Sequence, residues 1–447
     1  MLITSLFRGK RSILTVVFTL LAVLLVIGGC SGSNNSSDQA INASESASEN
    51  SEKSADSGSR ERDTEHSSAA VQGDDRAPTG EEPAPEREKE SDGGRRYGSK
   101  DAVQQAGQLT AGEWDDLAAW ERFGNLLNSR EGDSNLRHWN FSNFDRLEVS
   151  VTANGRAVAD ARVLLSNEQE VIWEARTDTD GRAYLFTNLF EDRGSERQSN
   201  YKVEVRADQQ ETTFDSIKIP EQDVLKLTLD KEIKPSDRVD VMFVVDTTGS
   251  MEDELNYLGA ELKDVITRVG KQHANQLDIR VSTNFYRDKH DDYVVKPYPF
   301  TRDIDKAVGQ IVKQKASGGG DYPEAVDQAL RDAIREHDWS EEARTRLLFL
   351  VLDAPPHDEA QTIDEIHDLI AEAAQQGIRI IPVTSSGTDV ETEYLTRFMA
   401  VATGGTYLFL TDDSGIGGDH LEPAAGEYEV KLLNDLLVEV INRYVQP

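Results

Sequence analysis

Hydrophobic and polar positions change rhythm several times along this chain, and each change predicts a different element. Ile13 to Ile27 is a dense apolar run, followed to about Lys100 by a stretch dominated by Ser, Glu, Asp, Gly and Arg. Between Gln108 and Asn128, apolar residues fall at Leu117, Trp120, Phe123 and Leu127, with Leu126 beside them. That spacing predicts an amphipathic helix, and Thr110 with Glu113 three residues later has the form of a capping box. From Asp145 to about Glu232 the period shortens to two: Leu147, Val149 and Val151 share one face, and YKVEVRA and VLKLTLD alternate likewise. Turn pairs at Asn154-Gly155 and Asp180-Gly181 separate short strands, which predicts an antiparallel β-sandwich.

From Arg238 onward strands alternate with helices. RVDVMFVV reads as a buried strand, and the helix after it carries Leu255, Leu258, Leu262, Val265, Ile266 and Val269 on one face. LDIRVSTNFY and YVVKPYPF are two further strands too close together to hold a helix between them, which implies an antiparallel edge. RDIDKAVGQIVKQ and PEAVDQALRDAI are predicted helices, the second with Pro323 in its first turn. Strands LLFLVLD, IRIIPVT and TYLFLT follow, with helices at Thr362–Gln376 ended by Gly377, around Glu393–Ala402, and around Glu429–Tyr444. The fold class expected is α/β, a doubly wound, mostly parallel sheet preceded by a small antiparallel β-sandwich. The corresponding division is 1–29, 30–100, 101–144 (helical), 145–235 (sandwich) and 236–447 (α/β).

Charge and cysteine usage narrow the setting. A net charge of −34 disfavours a nucleic-acid partner and favours hard cations. The sole cysteine, Cys30, excludes intramolecular disulfides. Arg8, Lys10 and Arg11 precede the apolar run, and Ile27-Gly28-Gly29-Cys30 closes it. This resembles the lipobox of bacterial lipoprotein signal peptides. The resemblance implies that residues 1–29 are removed, that Cys30 is lipidated, and that the protein is lipid-anchored in the bacterial cell envelope. Ser31 in place of Asp favours the outer membrane of a Gram-negative cell. Residues 30–100 cannot bury enough apolar surface to order themselves, and as a flexible tether they would span roughly 45 Å.

Candidate chemistry sits where apolar strands end. Asp246 closes the first strand of the α/β region, with Thr248 and Ser250 at alternate positions before a helix. ASGGGDYPEA brings Asp321 ahead of another helix, and LVLDAPPHD puts Asp353 at a strand end. In doubly wound sheets these ends face the ligand crevice. Carboxylates and hydroxyls suit Mg²⁺, with Ca²⁺ or Mn²⁺ as alternatives. TTGSMEDE has one glycine and several acids, unlike a phosphate-binding loop. An aspartyl phosphatase would carry D-x-D where this chain has Asp246 and Thr248. A helix cap alone would leave Asp321 and Asp353 unexplained. Asp178 and Asp180 read as turn acids, RDKHDDY as a solvated turn, His357 and Asp358 as exposed loop residues, and DDSGIGGDH as a glycine-rich surface turn.

D-x-T-G-S after an apolar strand, then G-G-G-D-x-P-E-A-V, then a strand ending in Asp, resembles the von Willebrand factor type A domain over about Arg238 to Val445. The resemblance implies a metal-ion-dependent adhesion site at Asp246, Thr248, Ser250, Asp321 and Asp353, with an acidic partner side chain completing the shell. Thr248 stands where Ser is commoner. Asp321 stands where adhesive members carry Thr, and that extra carboxylate would make the ion attract an acidic partner less. The sandwich segment is similar to prealbumin-like or carboxypeptidase-regulatory-like domains. The expected function is metal-dependent protein binding in adhesion, assembly or scaffolding, without catalysis. The competing expectations are a metal-dependent hydrolase using Asp246 or His357, and a purely structural envelope protein.

Overall fold

The computed structural model describes residues 105–446 except 169, 191–199, 220–223 and 275. The signal segment, Cys30 and the whole of the tether lie outside the described residues.

The described chain begins with β1 (Thr110–Trp114), α1 (Trp120–Leu127) and α2 (Arg130–His138). Eight strands follow: β2 (Arg146–Ala153), β3 (Arg156–Ala157), β4 (Arg162–Ser166), β5 (Val171–Arg176), β6 (Arg182–Phe186), β7 (Tyr201–Ala207), β8 (Gln210–Ile217) and β9 (Val224–Leu229). The α/β part comprises β10 (Arg238–Asp246), α3 (Glu252–His273), β11 (Asp278–Tyr286), β12 (Val295–Lys296), α4 (Ile304–Ile311), α5 (Val326–Arg331), β13 (Thr345–Leu352), α6 (Ala360–Gln376), β14 (Ile378–Thr384), α7 (Val390–Thr403), β15 (Tyr407–Leu410), β16 (Lys431–Leu432) and α8 (Leu433–Val445).

The large sheet has the order β12-β11-β10-β13-β14-β15-β1-β16. Strands β11, β10, β13, β14 and β15 run parallel, and β12 forms the antiparallel edge that its closeness to β11 implied. β13 is buried along its whole length. Its alternate residues serve opposite faces, because side chains of a strand point to opposite sides. Phe243, Val245, Phe349 and Val351 pack with α3 and α8, whereas Met242, Val244, Leu348 and Leu350 pack with α5, α6 and α7. α6 ends where Gly377 adopts the left-handed conformation, as the sequence suggested.

β1 corrects the expectation of a helix starting at Thr110. Ala111 is fully buried, and the strand pairs antiparallel with β15 on one side and β16 on the other. The Glu261 carboxylate accepts from the backbone N–H groups of Gly107, Gln108 and Leu109 at 2.7–3.1 Å, anchoring the entry to the strand. Thr110 uses its hydroxyl on Thr411, and Glu113 pairs with Arg443, so neither residue caps a helix. Only from Trp120 does the helical spacing take effect, with Phe123 inward.

β2–β9 form two four-stranded sheets, β3-β2-β6 with β9 against β2, and β5-β4-β7-β8. The Asn154-Gly155 turn is present, both residues having positive φ, as a two-residue hairpin of this twist requires. The expected all-antiparallel arrangement is met only in part, because β9 runs parallel to β2. These sheets also share one continuous apolar core with α6, α7 and the adjacent face of the large sheet. Trp139, after α2, is tied to the same two helices: its indole N–H donates to the Glu391 carbonyl at 2.8 Å, and its carbonyl accepts from His367 at 2.9 Å. Asp160 reaches across to Arg346 at 2.8 Å.

Candidate metal centre

The order of the large sheet reverses at β10, since β11 lies on one side and β13 on the other. Ligand crevices in such sheets open at the carboxyl ends of the strands flanking that reversal. Asp246 is the last residue of β10, and Asp353 follows the last residue of β13.

Both carboxylates are buried, Asp246 completely. Asp246 Oδ1 accepts from the Thr248 N–H and from the Thr248 hydroxyl, each at 2.7 Å. The Thr248 hydroxyl lies 3.1 Å from that of Ser250, which is exposed. Asp246, Thr248 and Ser250 therefore converge, as their alternate spacing suggested. Asp246 Oδ2 and Asp353 Oδ1 are buried without a hydrogen-bond partner. The Tyr286 hydroxyl lies beside Asp246 but is also without a partner of normal geometry. Burial, and then each acid's neighbours, push both carboxyls above the ordinary range: Asp353 acts on Asp246, and Glu254 acts on Asp353.

The second loop places its two acids differently. Asp321 is exposed, whereas Glu324, three residues later, is 3% exposed and has an unpartnered Oε2. Its carboxyl is pushed up to about 9, by burial first and then by Asp246, Asp288, Asp353 and Asp291. Two glycines make room for it. Gly319 has φ +70°, and a Cβ there would stand 2.8 Å from Glu324 Oε1; Gly318 has φ +82°, and a Cβ there would collide with Asp291. Asp291 accepts from the Gly319 N–H at 2.9 Å. The Glu324 N–H donates to the Pro355 carbonyl at 2.9 Å in a parallel bridge with Pro356. That bridge keeps Pro323 outside the helix predicted to start there, and α5 begins at Val326.

Two loops read as solvated in fact pack together, since His357 Nε2–H donates to the buried Asp288 at 2.8 Å. The loop Asp412–His420 is likewise more than a surface turn. The His420 side chain is 4% exposed, 2.8 Å from Asp412 and 3.5 Å from the buried Glu254 of α3. Glu254 also accepts from the Ser386 hydroxyl and, at 3.1 Å, from the Ser386 N–H. Asp178 accepts from the Arg182 N–H at 2.8 Å across the Asp180-Gly181 turn, the turn chemistry expected.

The donors suit a hard divalent cation: unpartnered carboxylate oxygens from two strand ends and one loop, with two adjacent hydroxyls. Among the described residues, however, no three His, Cys, Asp or Glu side chains stand close enough to form a closed metal cage. Asp246, Asp353 and Glu324 are instead separate buried acids, with Asp353 acting on Asp246 and both of them on Glu324.

Residues 240–412 match the family described as the von Willebrand factor A domain. The chain is also 30% identical over 139 residues to a protein of Acanthamoeba polyphaga mimivirus named as ariadne-like RING finger protein R811, covering 30% of this chain. It is 30% identical over 138 residues to the alpha-protein kinase vwkA of Dictyostelium discoideum, again over 30% of this chain. The matches span 13% and 21% of the lengths of those two relatives. The family match and the mostly parallel sheet with its strand-end acids together support a von Willebrand factor A domain over residues 240–412.

Proposed function

We propose that this chain is a lipid-anchored protein of the bacterial cell envelope whose von Willebrand factor A domain holds one divalent cation, Mg²⁺ or alternatively Ca²⁺ or Mn²⁺, and binds a protein partner at that site. Asp246, Thr248, Ser250 and Asp353 would hold the ion, with Asp321 at the rim. The ion would supply a positive centre beside the buried acids Asp246 and Asp353. The observation that carries the reading is the pair of buried, unpartnered oxygens, Asp246 Oδ2 and Asp353 Oδ1, beside the hydroxyls of Thr248 and Ser250. Buried polar atoms without partners are costly, and a cation satisfies several of them at once. We read the site as non-catalytic, because Asp246 has no exposed surface from which to attack a substrate.

The test is capture of partners from envelope extract by the full chain. Capture that is lost with EDTA and with Asp246→Ala, while the variant stays folded, supports the reading. Retention of the same partner under both conditions sinks it. A purely structural cation predicts a second outcome, in which removing metal lowers thermal stability without releasing any partner.

A further inference from the structure

We propose that Glu324, not Asp321, is the second loop's cation-binding group. The proposal rests on the reading of Asp246 and Asp353 as a cation site and specifies its third acid. Asp321 is the residue that position in the motif points to, but it is exposed. Glu324 is buried, its Oε2 has no partner, and its other oxygen fills the space left by Gly319 beside Thr248. The backbone fixes it there. The Glu324 N–H is bonded to Pro355, and Glu324 bridges Pro356, so the residue is tied to the segment that carries Asp353. On the other side, Gly319 is held by Asp291 and Gly249 by the Gly318 carbonyl at 3.1 Å, which sets the second loop against the Asp246–Ser250 turn.

A buried acid with a free oxygen, within electrostatic reach of two other buried acids with free oxygens, is an expensive arrangement unless a positive charge resides among them. The three acids do not close into a cage in the structure, and a divalent ion would draw them together with the hydroxyls of Thr248 and Ser250. Three carboxylates outweigh a divalent ion by one charge. The loaded site would therefore favour a neutral or basic group on the partner over an acidic one, the opposite of a site whose second loop offers a hydroxyl.

The test is Mn²⁺ binding to the EDTA-stripped full chain, followed by the loss of the free-ion electron paramagnetic resonance signal. Asp246→Ala reports on the underlying site, and Glu324→Gln, Glu324→Asp and Asp321→Asn report on the third acid. Expected are abolition by Asp246→Ala, at least ten-fold weakening by Glu324→Gln, intermediate weakening by Glu324→Asp, and less than two-fold change by Asp321→Asn. If Glu324→Gln binds like wild type while Asp246→Ala does not, the site stands and the role of Glu324 is overturned. Asp321→Asn weakening as much as Glu324→Gln overturns it too. Binding unchanged by Asp246→Ala removes the cation reading itself. Thermal unfolding of each metal-free variant separates lost ligation from lost folding.

Discussion

Replacing Glu324 by Gln should stabilise the metal-free protein at neutral pH, although it alters a buried residue. Glu324 is 3% exposed and its carboxyl is raised from 4.5 to about 9. In the folded state it therefore keeps its proton at pH 7.5, whereas the unfolded chain gives the proton up. The folded state binds more protons, so stability is fully present below about pH 4.5 and falls as pH rises towards 9. Each unit between the unfolded value and the working pH costs about 1.4 kcal/mol. At pH 7.5 the penalty is about 4 kcal/mol, part of it shared with Asp246 and Asp353 through mutual repulsion. Gln occupies the same volume and does not titrate. Urea unfolding in EDTA should show Glu324→Gln more stable than wild type by about 2–4 kcal/mol at pH 7.5, shrinking to near zero at pH 4.5. Added Mg²⁺ should reverse the order, because only the wild type gains the full stabilisation of a bound ion. Equal destabilisation by the variant at both pH values would refute the reasoning, since it would show that Glu324 is a satisfied hydrogen-bonding residue and not an uncompensated acid.

Other consequences are equally open to measurement. Gly318→Ala places a side chain in the left-handed region and against Asp291, and should cost about 1–3 kcal/mol in urea unfolding while weakening cation binding. His420 is drawn down by burial but held above its usual value by Glu254 and Asp412. Its stabilisation is therefore present below the ordinary histidine range and fades as pH rises through the raised value. His420→Gln should accordingly cost more at pH 5.5 than at pH 9, and a pH-independent loss would count against the ion-pair account. Trp139→Ala should cost about 3–5 kcal/mol and loosen the segment after α2 from α6 and α7, read as accelerated hydrogen exchange at Glu391–Phe398.

Most of the α/β part was legible because buried parallel strands and one-sided helices imprint different periods on the sequence. The run RVDVMFVVD and the stripe from Leu255 to Val269 appear in the structure as a strand and a helix sharing one core. β1 was not legible. It is five residues long, and what makes it a strand is β15, far along the chain, while Thr110 and Glu113 happen to stand at capping-box spacing. Strand ends pointed to Asp246 and Asp353 and the tight turn to Thr248 and Ser250; the structure shows Asp246, Thr248 and Ser250 as hydrogen-bonded neighbours, and their hold on a cation is the proposal. The loop between Ser317 and Val326 was not legible in the same way. Two left-handed glycines and the bridge from Glu324 to Pro356 reverse the chain, so the acid nearest the motif is exposed and the one after Pro323 is buried. The only sequence signal for this was the second acid in GGGDYPEA. That β2–β9 share an apolar core with α6 and α7 was not legible for a related reason, because alternation marks a buried face without saying what covers it.

The central claim is that the acids at the end of β10 and β13 exist to hold a cation, and calorimetric titration of Mg²⁺ into the EDTA-stripped full chain tests it most directly. The account predicts a single saturable site in the wild type and its loss in Asp246→Ala, with the variant unfolding cooperatively. Absence of a saturable site in the wild type, or an unchanged one in Asp246→Ala, would contradict it.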